Sequence, residues 1–221
     1  MNIILLGPPG SGKGTQAQNI VTQYALKHIS PGDFIREEIH KQSDIGKQIQ
    51  ETVNSGHMIG EDILISLVQK HVSKKDYLLF DGIPRTLHQA KLLEEHYHID
   101  IVIDLQVHDA DVIKRISSRW AVEKDGKQLT FTDKTSAEGY VAEFGGDLFQ
   151  RADDKPQVVQ ERLRVYHKET EPLIEFYGKQ HKLYIVNGGK SIDNVWRDID
   201  KLLVKLHVKK QSAKKINHTL S

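Results

Sequence analysis

The sequence predicts an α/β domain, with a parallel sheet wrapped by helices. Three observations carry this. Five short apolar segments alternate with stretches of helical periodicity, a pattern that pairs strands in parallel through crossover helices. The first segment runs directly into a glycine-rich loop and then a helix. At 221 residues of ordinary composition, the chain is long enough to bury one well-formed core.

Taken in order, Ile3 to Leu6 is the first strand. It feeds Gly7-Pro8-Pro9-Gly10-Ser11-Gly12-Lys13-Gly14-Thr15, and the helical stretch Gln16 to Tyr24 comes after it. Glycines let several N–H groups converge on one point, and the next helix aims its positive end there. Such a cup holds a phosphate, so the loop implies a bound nucleotide. Lys13 adds a compact charge for the β/γ-phosphates, and Thr15 can bond a phosphate or a magnesium water. The usual pattern places Ser or Thr directly after the lysine; here Gly14 intervenes.

A weaker strand, Leu26 to Ile29, comes next. Ser30 to Ile59 is longer than one crossover needs, and Ile63, Leu64, Leu67, Val68 and Val72 recur at helical spacing. At the start of this region, Ser30 reads as an N-cap, Pro31 as the first helical residue and Asp33 as completing a capping-box-like pattern. Capping leaves Arg36 unexplained, whereas a guanidinium one turn into a helix facing the cleft can grip a phosphate. Tyr77 to Phe80 ends in Asp81-Gly82, placing an acid where phosphate-loop proteins hold a carboxylate beside magnesium. Ile83-Pro84-Arg85-Thr86-Leu87-His88-Gln89 then set a rigid turn, a guanidinium and an amide at the edge where open parallel sheets bind ligands.

Ile101 to Leu105 is the fourth strand. From about Trp120 to Asp154 the pattern breaks into polar, Gly-containing sequence with alternating pieces such as Gln128 to Thr132, read as an inserted β-rich unit. A long helix starts near Pro156 and carries Val158, Val159, Leu163 and Tyr166. Leu183 to Val186 is the last strand, and the lysine-bearing tail from Val208 reads as solvated.

Thirty-one basic and thirty acidic side chains leave a net charge of +1, which gives no global field toward nucleic acid or an anionic membrane. No basic leader precedes an apolar run and no segment is long enough to span a bilayer, so the expectation is a cytoplasmic protein. Without cysteine, disulfides and thiolate metal sites are excluded. The twelve histidines are scattered and read as surface residues.

The motifs GPPGSGKGTQ, HISPGDFIREE, DGIPRTLHQA, QRADD and ERLRVYHKETEPLI, in this order and spacing, resemble the adenylate kinases of the nucleoside monophosphate kinase family from Met1 to about Leu206. The resemblance implies reversible transfer of a phosphoryl group, ATP + AMP giving 2 ADP with Mg²⁺. It also implies a P-loop nucleoside triphosphate hydrolase-like fold, with a five-stranded parallel sheet of order 2-3-1-4-5 and an inserted lid. Residues 1–29, 60–119 and 156–207 would form the core, 30–59 an AMP-binding subdomain, 120–155 the lid and 208–221 a flexible tail.

On the same resemblance, Gly10, Ser11, Gly12, Lys13, Gly14 and Thr15 would wrap the ATP phosphates, with Arg115, Gln128, Leu129 and Lys190 around the rest of ATP. Pro31, His57, Met58, Ile59, Gly82, Ile83, Pro84 and Gln89 would line AMP, with Arg36 and Arg85 on its phosphate and Gln89 reading the adenine edge. Arg119, Arg151 and Arg162 would converge on the moving phosphoryl group, Asp33 and Asp81 would hold Mg²⁺ through water, and Asp153 and Asp154 would organise the lid. The family implies a monomer that binds neither nucleic acid nor membrane.

Departures from the family pattern sharpen the expectation. Pro31 stands where most members carry Thr, and Gln128 and Leu129 stand where relatives often place an aromatic. Zinc-containing relatives carry two Cys-x-x-Cys pairs where this chain has Val122 with Asp125 and Val141 with Phe144. Two aliphatics and a Phe cannot bind zinc, so the lid is expected to be zinc-free and held by packing among Val122, Val141 and Phe144. The rival readings are a UMP or CMP kinase on the same fold and a nucleotide sensor without catalysis.

Overall fold

The computed structural model describes residues 1–210 except 56, 58, 62, 65–67, 70, 71 and 73–76, and omits the side chain of 127. Met58, Leu67 and residues 211–221 of the tail therefore lie outside the described residues. In chain order the core runs β1 (Asn2–Leu6), α1 (Lys13–Tyr24), β2 (Lys27–Ile29), α2 (Pro31–His40), α3 (Asp44–Asn54), β3 (Leu78–Asp81), α4 (Leu87–His96), β4 (Ile101–Gln106) and α5 (Asp109–Ser117). An inserted unit comes next: β5 (Trp120–Lys124), β6 (Lys127–Phe131), α6 (Lys134–Phe144) and β7 (Asp147–Phe149). The chain then returns through α7 (Pro156–Val165), α8 (Pro172–Lys179), β8 (Leu183–Asn187) and α9 (Ile192–Lys205).

The main sheet is parallel, in the order β2-β3-β1-β4-β8, so the five core strands take the expected order 2-3-1-4-5. Its central strands β1, β3 and β4 are mostly apolar because both of their faces are covered, whereas the edge strands β2 and β8 are partly exposed. Ile4, Leu6, Leu78, Phe80 and Val102 pack in one layer with Leu93 of α4 and Leu173 and Tyr177 of α8. Their neighbours Ile3, Leu5, Leu79 and Ile103 turn to the other layer, against Ile20 of α1 and Ile199 of α9. The chain moves from β1 to one side for β2 and β3, then to the other for β4. This reversal opens a crevice at the carboxyl ends of β1, β3 and β4.

The helix expected from Pro156 does start there, but it is not continuous. Val159 and Leu163 of α7 pack on Val112 and Ile116 of α5, after which Tyr166–Thr170 forms a π-helical turn. Pro172 has no N–H to offer the carbonyl of Lys168, and Glu171 donates back to Tyr166 O at 2.9 Å.

The inserted unit is a three-stranded antiparallel sheet, β6-β5-β7, and it also contains α6, a helix that the short alternating pattern did not announce. Asp125 and Gly126 both take positive φ, 51° and 72°, and form the two-residue turn between β5 and β6. Val122 is fully buried, Val141 is half-buried and Phe144 is 48% exposed. The packing expected among these three is therefore replaced at one corner by an aromatic row, Phe131, Tyr140 and Phe144, with centroids 5.4 and 4.9 Å apart. Phe144 ends α6, so it lies on Tyr140 one turn back.

The beginning of the tail is docked. Val208 is buried, and Lys210 donates to Asp200 at 2.9 Å while lying over the Tyr24 ring.

Candidate active site

The crevice holds a cleft of about 920 Å³, at the upper end of small-molecule sites, which run from ~300 to 1,000 Å³. Its floor is the glycine-rich loop. Gly7 has φ 136°, and a Cβ there would stand 2.6 Å from Leu105 O and 2.8 Å from Ser11 Oγ, so only glycine lets the chain leave β1 at this angle. Gly12 caps α1 in the left-handed region, and Lys13 is the first helical residue. The Lys13 ammonium donates to Gly7 O and Pro8 O, each at 2.8 Å. Burial pushes its pKa down to about 8; Asp81 opposes that shift, while Arg85 and Arg162 add to it.

At the end of β3, Asp81 is buried, and its Oδ2 lies 3.2 Å from His28 Nε2 on β2. His28 therefore departs from the surface role expected of the histidines: its side chain is 24% exposed and lines the cleft. Arg85 Nε donates to Gly82 O at 2.8 Å, and its backbone N–H donates to Gln89 Oε1 at 2.7 Å. Burial lowers the pKa of both Arg85 and Arg36 from the ordinary arginine value.

Ser30 is the N-cap of α2 and Pro31 its first residue, as expected, but the capping box does not form. Ser30 makes no side-chain cap bond, and the Asp33 carboxylate bonds Arg36 instead. One turn of helix brings this acid and base together more directly than the cap does.

The opposite wall is a network of three arginines and two aspartates. Arg119, between α5 and β5, donates Nε to Asp154 Oδ2 at 2.8 Å. Arg151 grips Asp153 through two bonds of 2.9 and 2.7 Å, and Arg162 on α7 reaches the same carboxylate at 2.8 Å. Burial alone would raise the Asp153 pKa, but Arg151 and Arg162 outweigh it and hold the group at about 2. Arg162 is lowered to about 10 by burial, with Arg119 and Arg151 adding to the shift against Asp153. At the far end, Arg115 Nη1 donates to Gly188 O at 2.9 Å, and Lys190 bonds Asp198 at 2.6 Å.

Most residues expected from the sequence meet in this one cleft. Gly10 to Thr15, Asp33, Arg36, Asp81, Gly82, Pro84, Arg85, Arg115, Arg119, Gln128, Leu129, Arg151, Arg162 and Lys190 all line it. Pro31, His57, Ile59, Ile83 and Gln89 are not part of that wall. Ile83 and Gln89 are buried behind it, Ile59 packs on the core, and His57 bonds Ser55 at 2.9 Å and sits 3.5 Å from Glu161. Residues that sequence reasoning did not assign to the site also line the cleft, among them Tyr166 and Thr170 of the π turn and Thr130 to Thr132 beside Leu129. The run Glu171-Pro172 was the available signal for a helix interruption near Thr170.

Asp81 and Thr15 flank the loop, and a Cβ at Gly14 would lie 3.8 Å from Asp81 Oδ2. Oxygen donors beside a phosphate cup suit Mg²⁺, which keeps several of its waters and takes few protein ligands. No group of three or more His, Asp or Glu that could hold a metal ion gathers among the described residues.

A family model described as adenylate kinase matches residues 5–182 of the chain. The adenylate kinase of Fervidobacterium nodosum is 40% identical over 212 residues, covering 92% of this chain and 97% of that protein. That of Archaeoglobus fulgidus is 39% identical over 215 residues, covering 93% and 99%. That of Listeria monocytogenes is 35% identical over 212 residues, covering 92% and 99%.

Proposed function

The chain belongs to the adenylate kinase family, and from that premise we propose that its cleft transfers the γ-phosphoryl group of ATP reversibly to AMP, giving two ADP. The observation that carries the reading is the convergence of Lys13 with Arg36, Arg85, Arg119, Arg151 and Arg162, contributed by separate parts of the chain, around one phosphate loop. So much positive charge in one cleft suits two polyanions, not one.

Lys13 and the N–H groups of Gly10 to Thr15 bind the donor phosphates, with Arg115 and Lys190 toward the base. Arg36 and Arg85 bind the acceptor phosphate, and Gly82 and Pro84 set the floor beneath it. No general base is required, because the second pKa of a phosphate monoester is about 6 and the attacking oxygen is already ionised at neutral pH. Catalysis comes from alignment and from neutralising the charge on the moving group, the work of Arg119, Arg151 and Arg162. Asp153 and Asp154 orient these arginines through their hydrogen bonds to the guanidinium groups.

Asp81, with Asp33 and Thr15, would hold Mg²⁺ through its waters, and the ion would supply positive charge against the phosphates. Residues 30–59 form the acceptor subdomain and 120–155 the lid, which excludes water as the wasteful acceptor, on a core of 1–29, 60–119 and 156–207. The reading extends to a cytoplasmic monomer acting on ATP, AMP and ADP.

The test is a monophosphate panel with Mg²⁺ and ATP, monitoring ADP formation. AMP is expected to turn over fastest. Faster turnover of UMP or CMP would assign a pyrimidine acceptor, and binding without turnover would make the chain a nucleotide sensor.

A further inference from the structure

Arg85 is anchored on three sides, and the third anchor is a residue with no part in the phosphoryl transfer proposed above. Its Nε donates to Gly82 O at 2.8 Å and its backbone N–H to Gln89 Oε1 at 2.7 Å. Its backbone carbonyl accepts a hydrogen bond from Thr170 Oγ1 at 2.9 Å, across 85 residues of sequence. Thr170 is buried, with 8% of its surface exposed, and the bond itself is partly buried at the wall of the cleft.

The bond exists because of the π turn. An extra residue in one helical turn rotates the residues downstream by roughly 100° relative to a regular helix, which resets the face on which Thr170 emerges. The turn is itself braced: His167 lies 2.9 Å from Glu171 Oε2 and 3.0 Å from Asp109 Oδ2 at the start of α5. Tyr166 and Thr170, the two ends of the turn, both line the cleft. π turns interrupt the regular hydrogen bonding of a helix and are frequently found at functional sites.

We infer that Thr170 is a positioning residue for the acceptor half of the reaction: its hydroxyl fixes the Arg85 main chain so that the guanidinium meets the acceptor phosphate. Thr170 does not touch the reacting atoms in this role. The inference rests on the assignment of Arg85 to the acceptor phosphate. A wrongly set guanidinium weakens acceptor binding and alignment, but leaves the donor phosphates on their own loop untouched.

Thr170→Val removes the hydroxyl at nearly constant volume, Thr170→Ser keeps it, and Arg85→Ala removes the group being positioned. For each, kcat and KM are measured for AMP at saturating ATP and for ATP at saturating AMP, alongside the melting temperature. Thr170→Val is expected to lower kcat/KM for AMP about tenfold, with KM for ATP within about twofold of wild type and Thr170→Ser near wild type. AMP parameters unchanged in Thr170→Val while Arg85→Ala is crippled would overturn the inference and leave the Arg85 assignment standing. Equal losses toward both nucleotides, with no rescue by Ser, would reduce Thr170 to a structural residue. Near-normal AMP turnover by Arg85→Ala would remove the assignment and the inference together.

Discussion

His40 Nε2, at the end of α2, lies 2.6 Å from Glu123 Oε1 on β5, so the helical pair and the three-stranded unit meet directly. The two side chains are 48% and 29% exposed, and pairs in such positions contribute at most about 1 kcal/mol. His40→Ala and Glu123→Ala are each expected to raise KM for both nucleotides by less than about fivefold and to leave kcat unchanged or slightly higher. A double-mutant cycle checks this, since the two losses should overlap if the contact holds the units together. Strict additivity would show that it carries no energy.

Lys13 sets an alkaline limit. With its pKa lowered to about 8, the ammonium is charged below that pH and neutral above it. The profile of kcat/KM for ATP, which reports the free enzyme, should fall tenfold per pH unit above about 8. Bound phosphates favour the charged form, so the corresponding fall in kcat should lie at higher pH. Between about 8 and the ordinary 10.5, the unfolded chain binds more protons at this residue than the folded one, so Lys13 makes the fold more stable as pH rises through that window. Unfolding at this group therefore does not explain a loss of activity there. A kcat/KM profile flat to pH 10 would remove Lys13 as the titrating donor clamp.

Asp153 acts at the other end of the scale. Its folded value of about 2 lies below the ordinary 3.8, so its stabilisation is fully present above 3.8 and is lost as pH falls toward 2. That gap corresponds to about 2 kcal/mol. Urea titrations should find Asp153→Asn destabilised by about this amount at pH 7, with the difference from wild type shrinking between pH 4 and pH 2. A difference that is constant with pH would mean the loss is steric.

The three-stranded unit should not depend on metal. Val122 is buried without a donor atom, Asp125 forms the β5–β6 turn and Phe144 lies on Tyr140. Prolonged treatment with a chelator should leave the melting temperature unchanged, and purified protein should carry far less than one zinc per chain. Stoichiometric zinc would overturn this.

Much of the molecule was legible along the chain because its signals are local. The five apolar runs identify the strands of the parallel sheet, and the phosphate loop comes after the first of them wherever the rest of the chain lies. Several of the cleft's charged residues could be picked out as well, since Asp81 and Arg85 come at the end of β3 and Arg36 sits one turn into α2, while Arg115, Arg119, Arg151 and Arg162 were placed by the family resemblance. The helix α6 was hidden by a window of weak periodicity, in which Ala137 alone is buried on that helix.

By itself, then, the sequence determined the parallel sheet and its phosphate loop, and, with the family resemblance, which charged side chains face the crevice. Only the tertiary structure decided how those side chains are held. Gln89 turns its amide oxygen to the Arg85 N–H, the π turn brings Thr170 to the Arg85 carbonyl, and Asp153 serves two arginines at once. The reason is physical: periodicity reports which face of an element is apolar, whereas a hydrogen bond between residues 85 positions apart depends on how two finished elements pack.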